Sequence, residues 1–121
     1  MRPRLYLSTP ITLGNRTMNF ATACNTQTEL MRLGFAVLNP ALSGQHPDAW
    51  NIPHDTWMEN DYPWVAVADV VLRLPGESKG ADMETRFAES LGIPVIHRYH
   101  DLLAWKQTWE AAQPRSVANG T

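Results

Sequence analysis

The chain has 121 residues, 44% hydrophobic and 18% charged, enough for one domain with its own core and typical of globular proteins. Its formal net charge of −2 argues against nucleic acid or an anionic membrane as main partner, and no apolar run is long enough to span a bilayer. The single cysteine, Cys24, excludes an internal disulfide and fits a reducing compartment; MRPRLYLSTP lacks a secretory pattern, so the expected location is cytoplasmic.

Leu5 to Ser8 reads as a first strand, followed by Thr9-Pro10 and a polar loop, Thr12 to Arg16. A helix is predicted over Thr17 to Leu33. Its inner stripe is Phe20, Ala23, Cys24, Gln27, Leu30 and Met31, and Gly34 ends it. Phe35 to Leu38 is a second strand closed by Asn39-Pro40, completing a β-α-β unit. Ala41 to His54 holds no helical or strand period and reads as a long loop. Asp55 is placed to cap a helix over Thr56 to Ala66, with Pro63 either kinking it or opening a second segment. Val70 to Leu74 is a third strand stopped by Pro75-Gly76.

The next helix, from near Gly80 to Gly92, is the most informative stretch. At about 100° per residue, Gly80, Ala81, Glu84, Phe87, Ala88 and Leu91 share one face; Asp82, Thr85, Arg86, Glu89 and Ser90 share the other. Glu84 therefore points with the apolar set, where a carboxylate is costly unless paired, hydrogen-bonded or useful. Ile93 to Ile96 begins a fourth strand, and Asp101 is placed to cap a last helix over Leu102 to Ala112. One domain over residues 1–113 and a frayed tail over 114–121 are expected.

Strands alternating with helices imply a parallel sheet covered on both faces, a Rossmann-like or flavodoxin-like three-layer α/β sandwich with four or five strands. The expected core is Leu5, Leu7, Phe20, Leu30, Phe35, Val37, Val70, Leu72, Phe87, Leu91, Val95 and Ile96. The carboxyl edge of such a sheet gathers Tyr6, Asp61, Ser78 and Glu84: a phenol, two carboxylates and a hydroxyl.

In order and spacing, Tyr6-Leu7-Ser8-Thr9-Pro10, Asn39-Pro40-Ala41, Asn60-Asp61, Ala68-Asp69-Val70-Val71 and Ser78-Lys79-Gly80-Ala81-Asp82-Met83-Glu84 resemble the nucleoside 2-deoxyribosyltransferase superfamily, including its nucleotide N-glycosidase branch. Leu74-Pro75-Gly76 ahead of Ser78-Lys79-Gly80-Ala81 is most similar to a small phage- and bacteria-encoded subgroup. The resemblance covers about Leu5 to Ile96. It implies cleavage of the N-glycosidic bond of a nucleoside or nucleoside 5′-monophosphate, through a covalent glycosyl-glutamate, by hydrolysis or base transfer. By that resemblance Glu84 is the nucleophile, Tyr6 aims it and Asp61 holds the sugar and assists proton transfer. Ser8, Ser78, Gly80, Ala81, Arg16 and Trp57 are candidate substrate contacts, Ser78 at a 5′-phosphate. No cofactor or metal is implied. A small-molecule nucleoside or nucleotide is the implied partner, with no nucleic acid or membrane, and a homo-oligomer of dimer or higher order is implied. The first loop, Pro10 to Asn15, lacks the glycine- and arginine-rich form of the better-known nucleotide hydrolases.

Each residue also has a plainer reading. Glu84 can cap its helix or pair with an arginine, Asp61 can cap a helix, Tyr6 can be core, and Ser78 can be an N-cap. Trp50, Trp57 and Trp64 suit either a nucleobase or a subunit contact. His97 and His100 lack a third ligand at metal spacing. There is no Gly-x-x-x-x-Gly-Lys-Ser/Thr and no Gly-x-Gly-x-x-Gly. The alternative from another class is a non-catalytic nucleotide-binding or sensor module using the same cleft.

Overall fold

The computed structural model describes residues 1–114, so the expected tail, apart from Pro114, lies outside the described residues. In chain order the elements are β1 (Arg4–Ser8), α1 (Arg16–Arg32), β2 (Ala36–Leu38), α2 (His54–Ala66), β3 (Val70–Arg73), α3 (Lys79–Ser90), β4 (Val95–Ile96) and α4 (Tyr99–Ala112). The strands form one parallel sheet in the order β2-β1-β3-β4. The order reverses direction between β1 and β3, so the crevice at their carboxyl ends is the topological switch point of an open α/β sheet.

Two-residue alternation divides the strands between two cores. Leu5 and Leu7 of β1, Val70 and Leu72 of β3 and Ile96 of β4 pack with Ala23, Leu30 and Phe20 of α1 and Leu102 and Trp105 of α4. Tyr6, Val71 and Val95 point the other way, toward Val65 of α2 and Ala88 and Phe87 of α3. The result is the expected three-layer sandwich, with four strands among the described residues. Each fully buried Leu or Val in these layers is worth about 1.5–3 kcal/mol relative to exposure. The second core is the smaller, and the polar residues of interest sit at its edge.

Several local expectations are corrected. Leu91 is 50% exposed because α3 ends at Ser90, which makes Leu91 the capping residue rather than part of the packed stripe. Thr85, expected on the outer face of α3, is buried; Met31 of the α1 stripe is exposed, and Thr26 is buried instead. Phe20, Val37, Phe87, Val95 and Ile96 are only half-buried. The long loop contains two 3-10 turns, Pro40–Gln45 and Ala49–Asn51, the first capped by the Asn39 side chain on Ala41 N–H. Asp55 and Asp101 cap nothing: α2 and α4 begin upstream, at His54 and Tyr99, and both aspartates lie inside the first turn. Pro63 sits within α2 without ending it.

Candidate functional site

β1 places Tyr6 and Ser8 two residues apart, hence on one face of the sheet, and α3 packs against that face. Glu84 comes down from α3 between them and is 5% exposed. The Tyr6 hydroxyl donates to Oε2 of Glu84. The Ser8 hydroxyl donates to Oε1 at 2.9 Å, with the Ala81 carbonyl oxygen 3.4 Å away. Each carboxylate oxygen thus has its own hydroxyl donor. Among the described residues no cation pairs with Glu84.

Asp61, half-buried on α2, approaches from the side and interacts with both Tyr6 and Glu84. Burial is the main force raising Glu84, to about 7; the Tyr6 and Ser8 hydroxyls oppose it and the Asp61 charge adds to it. Asp61 is also raised, chiefly by burial, opposed by the Asn60 amide that donates to its Oδ1 at 3.2 Å and by the nearby Glu84 and Tyr6. The Tyr6 phenol is pushed up by burial and by the two carboxylates, which keeps it protonated and donating. Burial thus raises both neighbouring carboxyls above the ordinary carboxylate range, an arrangement suited to nucleophilic or acid–base work.

The remaining candidates are dispersed. Ser78 is the N-cap of α3, its Oγ accepting from Ala81 N–H at 3.1 Å. That engages the Ala81 amide, which is therefore not free for an anion, and corrects that expectation. The Lys79 and Gly80 amides remain at the open end of the helix, and the Ser78 hydroxyl keeps its own proton to donate. Gly80 lies under α2: a Cβ there would come 3.6 Å from His54 and 3.8 Å from Met58. The Trp57 indole N–H is taken by the Ala49 carbonyl at 3.3 Å, so this side chain holds the second 3-10 turn. Arg16 lies with its guanidinium 4.0 Å from the centre of the exposed Trp50 ring.

Arg16 and Trp50 belong to an open cleft of about 470 Å³ whose walls also include Pro10, Ile11, Phe20 and His46. Glu84, Tyr6 and Asp61 are not in its walls. The cleft is walled by the loop that follows the strand carrying Tyr6 and Ser8. Pro10 borders the cleft two residues after Ser8, and it also backs Gly76 of the β3–α3 loop, where an added Cβ would lie 2.9 Å from Pro10 Cγ.

Residues 3–97 match the family described as Domain of unknown function (DUF4406). The chain belongs to the DUF4406 family. Among solved structures, it is similar to a 2-deoxyribosyltransferase of the psychrotolerant bacterium Bacillus psychrosaccharolyticus, with 21% identity and a TM-score of 0.59 over 76% of this chain and 69% of that one. At that identity the likeness shows the fold alone. No curated protein matches. No helix among the described residues is long and apolar enough to cross a membrane.

Sequence reasoning missed one charged residue at this edge. Arg73, the last residue of β3 and the register partner of Ser8, is 8% exposed. Its guanidinium donates to the carbonyls of Leu74 and Gly76 and pairs with Asp82 at 3.0 Å. An arginine just before Leu-Pro-Gly reads as a polar strand end. The only signal against that reading is strand alternation, which groups it with Val71 on the inner face.

Proposed function

We propose that the protein cleaves the N-glycosidic bond of a nucleoside or nucleoside 5′-monophosphate, with Glu84 as nucleophile. The observation that carries this reading is the buried Glu84 carboxylate held by one hydroxyl on each oxygen, with no cation paired to it among the described residues. An arginine partner would quench the nucleophile. Two hydroxyls orient it and leave its charge available to an oxocarbenium-like centre.

In the first step a Glu84 oxygen bonds to C1′ as the C1′–N bond breaks, its electron pair leaving with the base, which takes up a proton. Asp61 hydrogen-bonds the sugar hydroxyls and shares proton transfer. In the second step water attacks C1′ and frees Glu84, or a second base does so and gives transfer. Tyr6 and Ser8 keep the carboxylate in line in both steps. A 5′-phosphate is received at the start of α3 by the Ser78 hydroxyl and the Lys79 and Gly80 amides. The base extends past the β1–α1 loop toward Arg16. The resemblance further supports a homo-oligomer, testable by sedimentation.

The test is incubation with a panel of ribo- and deoxyribonucleosides and their 5′-monophosphates, followed by chromatography for free base. Free base from at least one member is expected, abolished by Glu84→Gln with binding retained. A 2′-fluoro nucleoside should add one glycosyl mass to the wild type and none to the variant. Adding a second base distinguishes transfer from hydrolysis. Binding without release of base from any substrate would overturn the reading in favour of a non-catalytic module.

A further inference from the structure

Arginine is rarely buried unless paired, and a guanidinium in a sheet layer is costly even with its partners in place. Val71, two residues earlier on the same face of β3, shows the ordinary occupant. Each of the Arg73 contacts goes forward, into the segment that joins β3 to α3. The Leu74 and Gly76 carbonyls fix the turn, and Asp82 in the first turn of α3 closes the set. The turn needs fixing: Gly76 has φ +119°, and the loop runs tight against Pro10.

Glu84 lies two residues beyond Asp82, roughly 200° further round the helix. Its hydroxyl partners come from β1, whereas Asp82 is held from β3. The helix is therefore tied on two sides by two different strands, and the pair of ties sets its rotation about its own axis. A carboxyl head lies about 6 Å from that axis, so a rotation of about 20° displaces it by about 2 Å. That exceeds what the Tyr6 and Ser8 hydrogen bonds tolerate.

We propose that Arg73 is the positioning residue of this site: by binding the Leu74 and Gly76 carbonyls and Asp82 it fixes the rotation of α3 that presents Glu84 to Tyr6 and Ser8. Its consequence for turnover rests on the reading of Glu84 given above. Its consequence for the position of Glu84 does not.

The test uses the full chain with Arg73→Met, which keeps the buried stem, Arg73→Lys, which keeps a charge without the fork, and Asp82→Asn, which alters only the exposed partner. The first readout needs no substrate: the Glu84 carboxyl is titrated by 13C NMR, assigned with Glu84→Gln. Tyr6 and Asp61 are the titratable groups that face it. Arg73→Met is expected to move the Glu84 titration down toward the ordinary carboxylate range as the head swings to water, with Arg73→Lys and Asp82→Asn intermediate. The second readout, on any substrate found, is a fall in kcat of about 100-fold for Arg73→Met with KM little changed, the size expected for a misplacement of ångström scale. If Arg73→Met fails to fold, Asp82→Asn and Arg73→Lys decide. A lowered melting temperature with an unmoved Glu84 titration would overturn the proposal and make Arg73 a structural residue only. A moved titration with no turnover in the wild type would leave it standing while sinking the proposed activity.

Discussion

Tyr6→Phe isolates one of the two hydroxyls on Glu84 and leaves the buried ring in place. A hydrogen bond to a charged group is worth about 1.5–3 kcal/mol. At about 1.36 kcal/mol per pKa unit, losing it raises Glu84 by roughly one to two units. The direction is fixed: the Tyr6 bond is the strongest of the contributions that hold Glu84 down, so removing it lets burial push the carboxyl further up from about 7. At pH 7 the wild-type carboxyl is about half ionised, and the variant would be about 1–10% ionised. The expected result is a loss of about 5- to 50-fold in kcat/KM at pH 7 from ionisation alone. The assay is release of free base from pH 5 to pH 10. The acid limb of the wild type should fall near 7 and that of Tyr6→Phe above it. The alkaline plateau then reports the remaining, orientational part of the loss. A wild-type acid limb near 4.5, or a limb that does not move in the variant, would refute the picture of a buried, hydroxyl-held nucleophile.

Asp61→Asn should shift the same limb the opposite way, because the Asp61 charge raises Glu84; the pH profile checks this, and an upward shift would contradict it. Glu84→Gln should change how stability depends on pH. The folded value of about 7 stands above the ordinary 4.5, so the Glu84 contribution is fully present below 4.5 and is lost as pH rises through 7. Thermal denaturation of variant and wild type should therefore diverge by up to about 3 kcal/mol in favour of Glu84→Gln between pH 4.5 and pH 8, and a constant difference would count against it. Gly76→Ala should cost about 1–3 kcal/mol, read as a lowered melting temperature, because alanine at φ +119° is strained and its Cβ would lie 2.9 Å from Pro10 Cγ.

The frame of this fold is legible because its signals are local. Short apolar runs with Pro or Gly stops mark β1 and β3, and the apolar stripe of α3 runs from Ala81 to Ala88. The meeting of Tyr6 and Glu84 follows from two periods, one along a strand and one around a helix. What failed depends on where an element begins or ends. Leu91 falls outside the core because α3 stops one residue earlier, and Asp55 and Asp101 lose their capping role because α2 and α4 start upstream of them. The 3-10 turns of Pro40–Gln45 and Ala49–Asn51 are too short to show a period. Arg73 was invisible because its partners, two backbone carbonyls and a half-exposed aspartate, leave no mark on residue type.

Glu84 and Arg73 both break the apolar pattern of the face between the sheet and α3, and they do so at the same switch point. Were stability their purpose, the economical arrangement would join them, since a buried charge left without its opposite is the most destabilising case. They are instead kept apart. Arg73 is satisfied by the loop and by Asp82, and Glu84 by two neutral hydroxyls. Segregating opposite charges that lie on one face leaves a carboxylate oriented but not neutralised, which costs stability and which an attack on a sugar carbon requires. The same segregation explains why the second tie on α3 comes from β3, through Arg73 and Asp82, and not from the β1 hydroxyls that hold the carboxyl itself.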